Sequence, residues 1–578
     1  MAPVDLKIGV LTDKSAWSNL ILWFLKDEIG YPTETTSKEN IYRYPVMIVS
    51  YEMISRDPSI FTNYVQKKGS MLVVNSGSDY SEKDRNSPSK ENPLPFALIN
   101  GSPRTGHYIV NEKGNPLNAF FPTHSTLPKK RKDHNITTTI GDLQFSNLQQ
   151  TKTIVEFETI DGDRYPLLLC GITKKSGRFA LITATDDDLI CQHSNLGPLL
   201  YLAALEWCLK NKPFVRKWPW PNMKRMTVIL TFDFETLAKY SEDRKLTKYW
   251  WWRRSFDRFL LEIGARPILK FLTEKKIPST WFVVGSQAIH TPNFVKKLAS
   301  IELVEIAGHG DRHMDIDKSA RRFDEDSMQI QNRRLDAMKQ MIQSFVQVPI
   351  RGFRAPGLYA DLNTLLALEQ GGFSWDCSAS PQTNIATRWL FLPYCPIIDS
   401  EKNSDANLVE IPVVEPWDQW CPIHGCAHSP REYFNELLED FRFLFFIGGL
   451  QTLLVHPYWI VTHKAWWKAA ESFIRKALET SDVAFSTCSD VSTNWIAKKE
   501  MSLEATYDAS ASQIDISINN GKSGLSILAR IPEDSEVRAV FLNGTTPVSF
   551  RSWKDINSII FTTTAKRSCN YKILLSKL

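Results

Sequence analysis

No apolar run in this 578-residue sequence is long enough to cross a bilayer. The longest, from Phe443 to Val455, is interrupted by Gly448, Gly449 and Gln451, whereas a spanning helix takes about 20 predominantly apolar residues. The first residues, MAPVDLKIGVLTD, lack the basic start and long apolar core of a secretory signal, so the expected compartment is the cytoplasm and no membrane partner is expected. Cysteine is sparse and irregular. Nine residues, an odd number without repeated spacings, do not call for a disulfide framework and suit thiols kept reduced. Charge of one sign is also missing: 69 Lys plus Arg stand against 64 Asp plus Glu, and a net +5 gives no basis for a nucleic-acid partner. The one dense basic run, Lys129 to Lys132, sits among Pro, Thr and Ser and reads as a solvated loop.

What is present is a long, ordinary globular composition, 43% hydrophobic and 23% charged, too long for one core and therefore divided into domains. The first 215 residues alternate short apolar runs with amphipathic stretches: LKIGVLTD, SNLILWFLKDEIG, PVMIVSYE, GSMLVVNSG and, later, RFALITATDDDL followed by LGPLLYLAALEWCLKN. This rhythm predicts a parallel α/β domain over residues 1–215, and it resembles the class I glutamine-amidotransferase-like and flavodoxin-like domains. An amidotransferase needs an exposed, activated thiol, yet Cys170, Cys191 and Cys208 are not in a G-x-C-x-G turn, and Ser76 reads as a turn residue. The domain is expected to be non-catalytic. After the connector KPFVRKWPWPNMKR, strand and helix patterns alternate again over 216–498, as a distorted (β/α) barrel would. Residues 499–578 turn to short alternating strands with Gly, Asn and Pro turns, predicting a small antiparallel β-sandwich.

Within 216–498, chemistry-bearing residues recur at the ends of apolar runs. Asp233 and Glu235 close VILTFDFE, and the two-residue period of a strand puts both carboxylates on one side. His309 and His313 follow IELVEIA, a spacing that on a helical turn lets two imidazoles share one metal ion. Arg354 lies in RGFRAPGLY, and His456 ends LQTLLVHPYW. In α/β barrels the carboxyl ends of the strands carry the active site.

In this order TFDFE, EIAGHGDRH, FRAPG, FSWDCSAS and LLVH resemble the motifs of the polysaccharide deacetylases, the NodB-homology domains of carbohydrate esterase family 4. The resemblance covers about half of the chain. It implies a hydrolase of carbon–nitrogen bonds that removes an acetyl group from an N-acetylated sugar or related amide, with a divalent metal as cofactor, Zn²⁺ being the expected ion. It further implies that His309 and His313 are metal ligands, that Asp233 is the general base with Arg354 holding it, and that the Gly357 N–H stabilises the oxyanion. His456 is then the general acid, and Asp376 orients it. One departure stands out. Where the family most often has a second, adjacent aspartate as ligand, this chain has Phe234, and the acid returns at Glu235, which becomes the third expected ligand.

Other features are weighed against plainer explanations. CPIHGCAHSP, from Cys421 to Pro430, reads as a loop on the rim of the site rather than a zinc motif, with His424 or His428 within reach of substrate. The aromatic run around Tyr249 to Arg254 suits packing more than sugar stacking. The expected partner is a carbohydrate or small amide substrate, and a homo-oligomer is compatible with the sequence. Two alternatives remain: an amidohydrolase of ureides or cyclic imides on the same fold, and a carbohydrate-binding or scaffolding protein whose site has decayed.

Overall fold

The computed structural model describes residues 3–11, 21–67, 69–75, 96–110, 136–145, 151–159, 161–172, 177–185, 196–235, 250–313, 322–380, 391–399, 404–405, 407–414, 418, 427–564 and 568–578. The chain forms two compact units. One holds the described residues before position 224 together with those from 497 onward, and the other spans 224–496.

In the first unit, strands Thr33–Thr36, Ile8–Leu11, Val46–Ser50, Ser70–Asn75 and Arg178–Thr185 lie side by side in that order, all parallel. The sheet continues through four antiparallel strands within residues 96–172, the last of which, Arg164–Ile172, pairs back onto Arg178–Thr185. The strand-and-helix rhythm did not anticipate this antiparallel portion. Helix Leu196–Leu209 is apolar almost throughout and mostly buried, and its one acid, Glu206, pairs with Arg530. The C-terminal residues form two antiparallel sheets around a common core that includes Ile516, Ile527, Phe561 and Ile573. Each sheet takes in a strand from the N-terminal half: Val4–Asp5 pairs with Ser502–Asp508, and Phe214–Trp218 with Ser526–Arg530.

The main sheet of the second unit is a curled, wholly parallel half barrel, beside a short antiparallel pair, Ile397–Asp399 with Ser404–Asp405. We number its strands β1 (Met226–Phe234), β2 (Ser279–Val283), β3 (Val304–Gly308), β4 (Gly352–Phe353), β5 (Trp375–Asp376), β6 (Val409–Glu410), β7 (Leu450–Val455) and β8 (Val483–Ser486). Their order is β6-β5-β4-β3-β2-β1-β7, with β8 also pairing with β1. Every residue of β1 and β7 is buried, as expected of parallel strands covered on both faces, and this is why they read as unbroken apolar runs. Local signals fix the surrounding helices. Helix Pro430–Ile447 starts from a Ser429 cap with proline in its first turn and stops at Gly448, whose φ of 76° is the left-handed conformation that favours glycine. Close packing also fixes the chain just after β7. A Cβ at Gly264, in the helix α1 (Trp250–Lys275), would lie 1.7 Å from the carbonyl oxygen of Pro457, so only glycine lets the helix approach the residue following His456.

Candidate active site

The carboxyl end of β1 supplies the two acids. Asp233 and Glu235 face the interior of the half barrel together with Thr231, and Phe234 between them faces the other way. Its fully buried ring stacks on Phe294 at 5.3 Å and tilts against Trp281 at 6.4 Å. A strand that continues in register through Phe234, opposite Val283, cannot turn two consecutive side chains to the same side. The usual adjacent-acid position is therefore a core position here, and the second acid sits one residue later.

The histidines come from the loop after β3. His309 Nδ1 lies 2.9 Å from the backbone oxygen of Arg354, to which it must donate, and this leaves Nε2 as the atom open to a ligand. That Nε2 is 3.0 Å from Glu235 Oε2, and His313 Nε2 is 2.8 Å from the same oxygen. Residues 309–313 are not helical. The chain bends at Gly310, with φ of 74°, and the three-residue spacing meets at one point through that bend rather than through the helical turn expected from the sequence. Ligand atoms of Glu235, His309 and His313 all fall within 4.8 Å of one another. One carboxylate and two imidazoles, all buried, are a donor set suited to a borderline divalent ion such as Zn²⁺. Burial pushes the Glu235 carboxyl up, but the His313 charge, hydrogen bonds from His309 and His313, and His456 outweigh it and hold the group well below the usual carboxylate range.

Arg354, just past β4, is fully buried and saturated with partners. Its Nη1 donates to Asp233 Oδ1 at 2.6 Å, Nη2 to Thr231 Oγ1 at 3.1 Å and to Cys377 Sγ at 3.0 Å, and Nε to the Cys377 carbonyl at 2.9 Å. Its plane lies 4.0 Å from the centre of the Phe282 ring. Burial disfavours its charge, but Asp233 and the Cys377 contacts more than restore it, so the guanidinium remains charged. This leaves Asp233 Oδ2 free of Arg354 and turned to the histidines, 3.7 Å from His309 Nε2 and 3.9 Å from His456 Nε2.

His456 follows β7, the strand paired with β1, with Nε2 3.6 Å from Glu235 Oε1. Its orienting carboxylate is Asp418, not Asp376. Asp418 Oδ1 lies 2.7 Å from Nδ1, and its Oδ2 accepts the His456 backbone N–H at 2.7 Å. Burial would lower the pKa of this imidazole, but Asp418, by charge and hydrogen bond, and then Glu235 and Asp233 raise it to about 9. Asp418 carries no motif and lies in the segment beyond the LVEIPVV run, so only its neighbour in space marks it. Asp376, expected to orient His456, belongs to a separate buried network. Its Oδ1 accepts from Ser378 Oγ at 2.9 Å, that hydroxyl accepts the Ala355 N–H at 2.8 Å, and its carboxyl is hydrogen-bonded to Glu410, its register partner on β6. Burial raises Asp376 to about 6, and burial together with Asp376 pushes Glu410 well above the usual range, so the pair shares a proton.

Six of the eight expected residues, Asp233, Glu235, His309, His313, Arg354 and His456, thus converge. Gly357 is the exposed residue of the turn Pro356–Leu358, whose flanking residues are buried, at φ of 65° and three positions beyond Arg354. Cys421, His424, Cys426 and the side chains of the aromatic run at Tyr249 to Arg254 fall outside the described residues. His428 is exposed, and its N–H donates to Glu432.

Residues 254–375 match the family model of polysaccharide deacetylase. The matched segment contains His309, His313 and Arg354, while Asp233, Glu235 and His456 flank it. Among solved structures, a Mycobacterium smegmatis protein described as a polysaccharide deacetylase is 22% identical, over 48% of this chain and 93% of its own, with a TM-score of 0.41. The allantoinase Puue is 18% identical over 48% of this chain and 93% of its own, with a TM-score of 0.39. The carbohydrate deacetylase Agd3 is 10% identical over the whole of both chains, with a TM-score of 0.47. No curated protein matches the chain. The glutamine-amidotransferase resemblance of the N-terminal residues has no counterpart among these findings. Residues 254–375 thus match a polysaccharide deacetylase domain, and this match supports a hydrolase acting on carbon–nitrogen bonds.

Proposed function

We propose that the chain is a metal-dependent deacylase that removes an acetyl group from an N-acetylated sugar or a related amide. The observation that carries this is the convergence of His309 Nε2 and His313 Nε2 on one oxygen of Glu235, at 3.0 and 2.8 Å, with the Asp233 carboxylate and His456 on either side. Glu235, His309 and His313 would hold the ion. When bound, such an ion polarises an acyl oxygen and lowers the pKa of its water toward about 7.

The protein's own groups then divide the proton transfers. Asp233 takes the water proton on Oδ2, because Arg354 occupies Oδ1 and fixes the carboxylate plane. The Gly357 N–H, three positions beyond Arg354, would be the backbone donor to the oxyanion, a contact that strengthens as charge develops there. His456 donates from Nε2 to the departing amine, and Asp418 holds the Nδ1 proton so that Nε2 is the atom turned inward. At neutral pH an imidazole raised to about 9 is already charged and ready to donate.

The chemistry is confined, on this proposal, to residues 216–498. Residues 1–215 and 499–578 take no part in bond cleavage, and the substrate is a soluble sugar or glycoconjugate precursor met in the cytoplasm. Support for an inert N-terminal domain comes from its described thiols: Cys170 and Cys208 are buried, and burial pushes Cys208 up to about 12, so neither supplies a nucleophile. The test is metal analysis of the purified full chain, followed by hydrolysis of N-acetylated amino sugars with and without chelator. Co-purified or restorable divalent metal with chelator-sensitive deacetylation is expected. Chelator-resistant hydrolysis of ureides would replace this proposal with the amidohydrolase alternative.

A further inference from the structure

Between the two histidines of the site lies Asp311, and this short loop is held from two directions. On one side the N–H groups of Gly285 and Ser286, at the start of helix α2 (Gly285–His290), donate to the carbonyls of Gly310 and Asp311, each at 2.9 Å. On the other, the Asp311 carboxylate accepts from Arg334 Nε at 2.9 Å. Arg334 projects from helix α3 (Met328–Gln343) and is itself fixed. Its Nη1 donates to Asp326 Oδ2 at 2.8 Å, and its guanidinium sits 4.7 Å from the centre of the Phe323 ring. Arg334 and Asp326 have side chains only 13% and 6% exposed, so this clamp is largely shielded from water.

We infer that Arg334 is a positioning residue for the metal site: through Asp311 it sets the spacing of His309 and His313, and with it the affinity and geometry of the bound ion. The inference rests on the proposed metal dependence. It follows from how a bent loop presents two ligands. The His309 backbone is anchored in the sheet, where its N–H donates to the Val283 carbonyl at 2.9 Å. Four residues later His313 lies beyond the strand, and the contacts of Asp311 fix the chain between the two ligands, past the bend at Gly310. Groups that orient metal ligands from behind typically change affinity by about 10- to 100-fold when removed.

The sign of the effect separates positioning from simple charge. Removing a cation near a cation site should strengthen binding if Arg334 acted only through its field. Loss of positioning should weaken it. The experiment strips the full chain with chelator and measures Zn²⁺ and Co²⁺ dissociation constants by competition with a chromophoric chelator, for wild type, Arg334→Ala, Arg334→Lys, Asp311→Ala and the double variant Asp311→Ala/Arg334→Ala. Expected are a 10- to 100-fold weaker affinity for Arg334→Ala, an intermediate value for Arg334→Lys, a double variant no weaker than the worse single one, and a shifted visible spectrum of bound Co²⁺. Unchanged or tighter binding in Arg334→Ala, or additive losses in the double variant, overturns the inference while leaving the proposed function standing. If Arg334→Ala does not fold, Arg334→Lys decides: it keeps the charge but loses the Nε hydrogen bond, so weaker binding supports the inference and unchanged or tighter binding overturns it. A wild-type chain that takes up neither ion defeats the proposed metal dependence itself, and the inference with it.

Discussion

Replacing Asp418 with Asn tests the proton-donor half of the mechanism. The substitution keeps the size of the side chain and its ability to accept the His456 backbone N–H, now at 2.7 Å, but removes the charge facing Nδ1. In the native site that charge, ahead of those of Glu235 and Asp233, overcomes burial and raises His456 to about 9, against an ordinary value near 6.5. The difference is worth about 3 kcal/mol in favour of the imidazolium. With the charge gone, burial again counts against protonation, and the pKa returns to about 6.5 or below. At pH 8 the protonated fraction then falls from about nine-tenths to about one-thirtieth, so kcat should drop roughly 30-fold. At pH 6 most of that loss disappears. The assay is the pH dependence of kcat for an N-acetylated amino sugar, with the alkaline limb near pH 9 in the wild type and displaced toward pH 6.5 in the variant. A loss of equal size at pH 6 and pH 8, or an alkaline limb that stays near pH 9, would refute the assignment of Asp418 as the group that keeps His456 charged.

The same shift has a stability consequence. A histidine raised on folding contributes stability that is fully present below about pH 6.5 and is lost as pH rises toward 9, so the wild-type melting temperature should fall across that window and the Asp418→Asn variant should show a flatter profile. Asp233→Asn should retain bound metal while lowering kcat by roughly 10²- to 10⁴-fold, whereas Glu235→Gln should lose the metal itself; elemental analysis beside kinetics distinguishes the two. Phe234→Asp, which recreates the adjacent-acid pattern, should not improve metal binding. It puts a carboxylate between Trp281 and Phe294 and should cost about 3 kcal/mol or more, measurable by denaturant unfolding. Glu410→Gln should be well tolerated, since an amide can donate to Asp376 as the protonated acid does. Glu410→Ala should cost about 2 kcal/mol, because it strips the acceptor from the Ser378 and Ala379 N–H groups.

How far the site could be read from sequence depends on what places each residue. Asp233, His309, Arg354 and His456 sit where buried parallel strands end, and such strands announce themselves as apolar runs because both of their faces are covered. Their positions therefore follow from local pattern. Asp418 is different: it reaches His456 across 38 residues of chain, from a turn outside any strand, and only the closure of the fold brings it there. Asp376 was misassigned for a related reason. It does stand on a strand, but its neighbours are set by the register of β5 against β6, which pairs it with Glu410, and register between short strands leaves no local trace. The antiparallel strands within residues 96–172 were missed likewise, because long-range pairing decides them.

The departure at Phe234 shows the same physics from the other side. A strand that keeps its register to the end exposes alternate residues to the pocket, so adjacent acids can both reach an ion only if the chain leaves the strand between them. Here β1 stays paired with β2 through Asp233 and Phe234, and the residue after Asp233 is given to the aromatic core. The next side chain to face the pocket is Glu235, the first residue beyond the strand. Its carboxylate is one methylene farther from the backbone than an aspartate's, and it reaches both histidines. An acid-x-acid pattern is thus what a regular strand requires if a base and an acidic ligand are to face one pocket, and the departure fits the proposed working site.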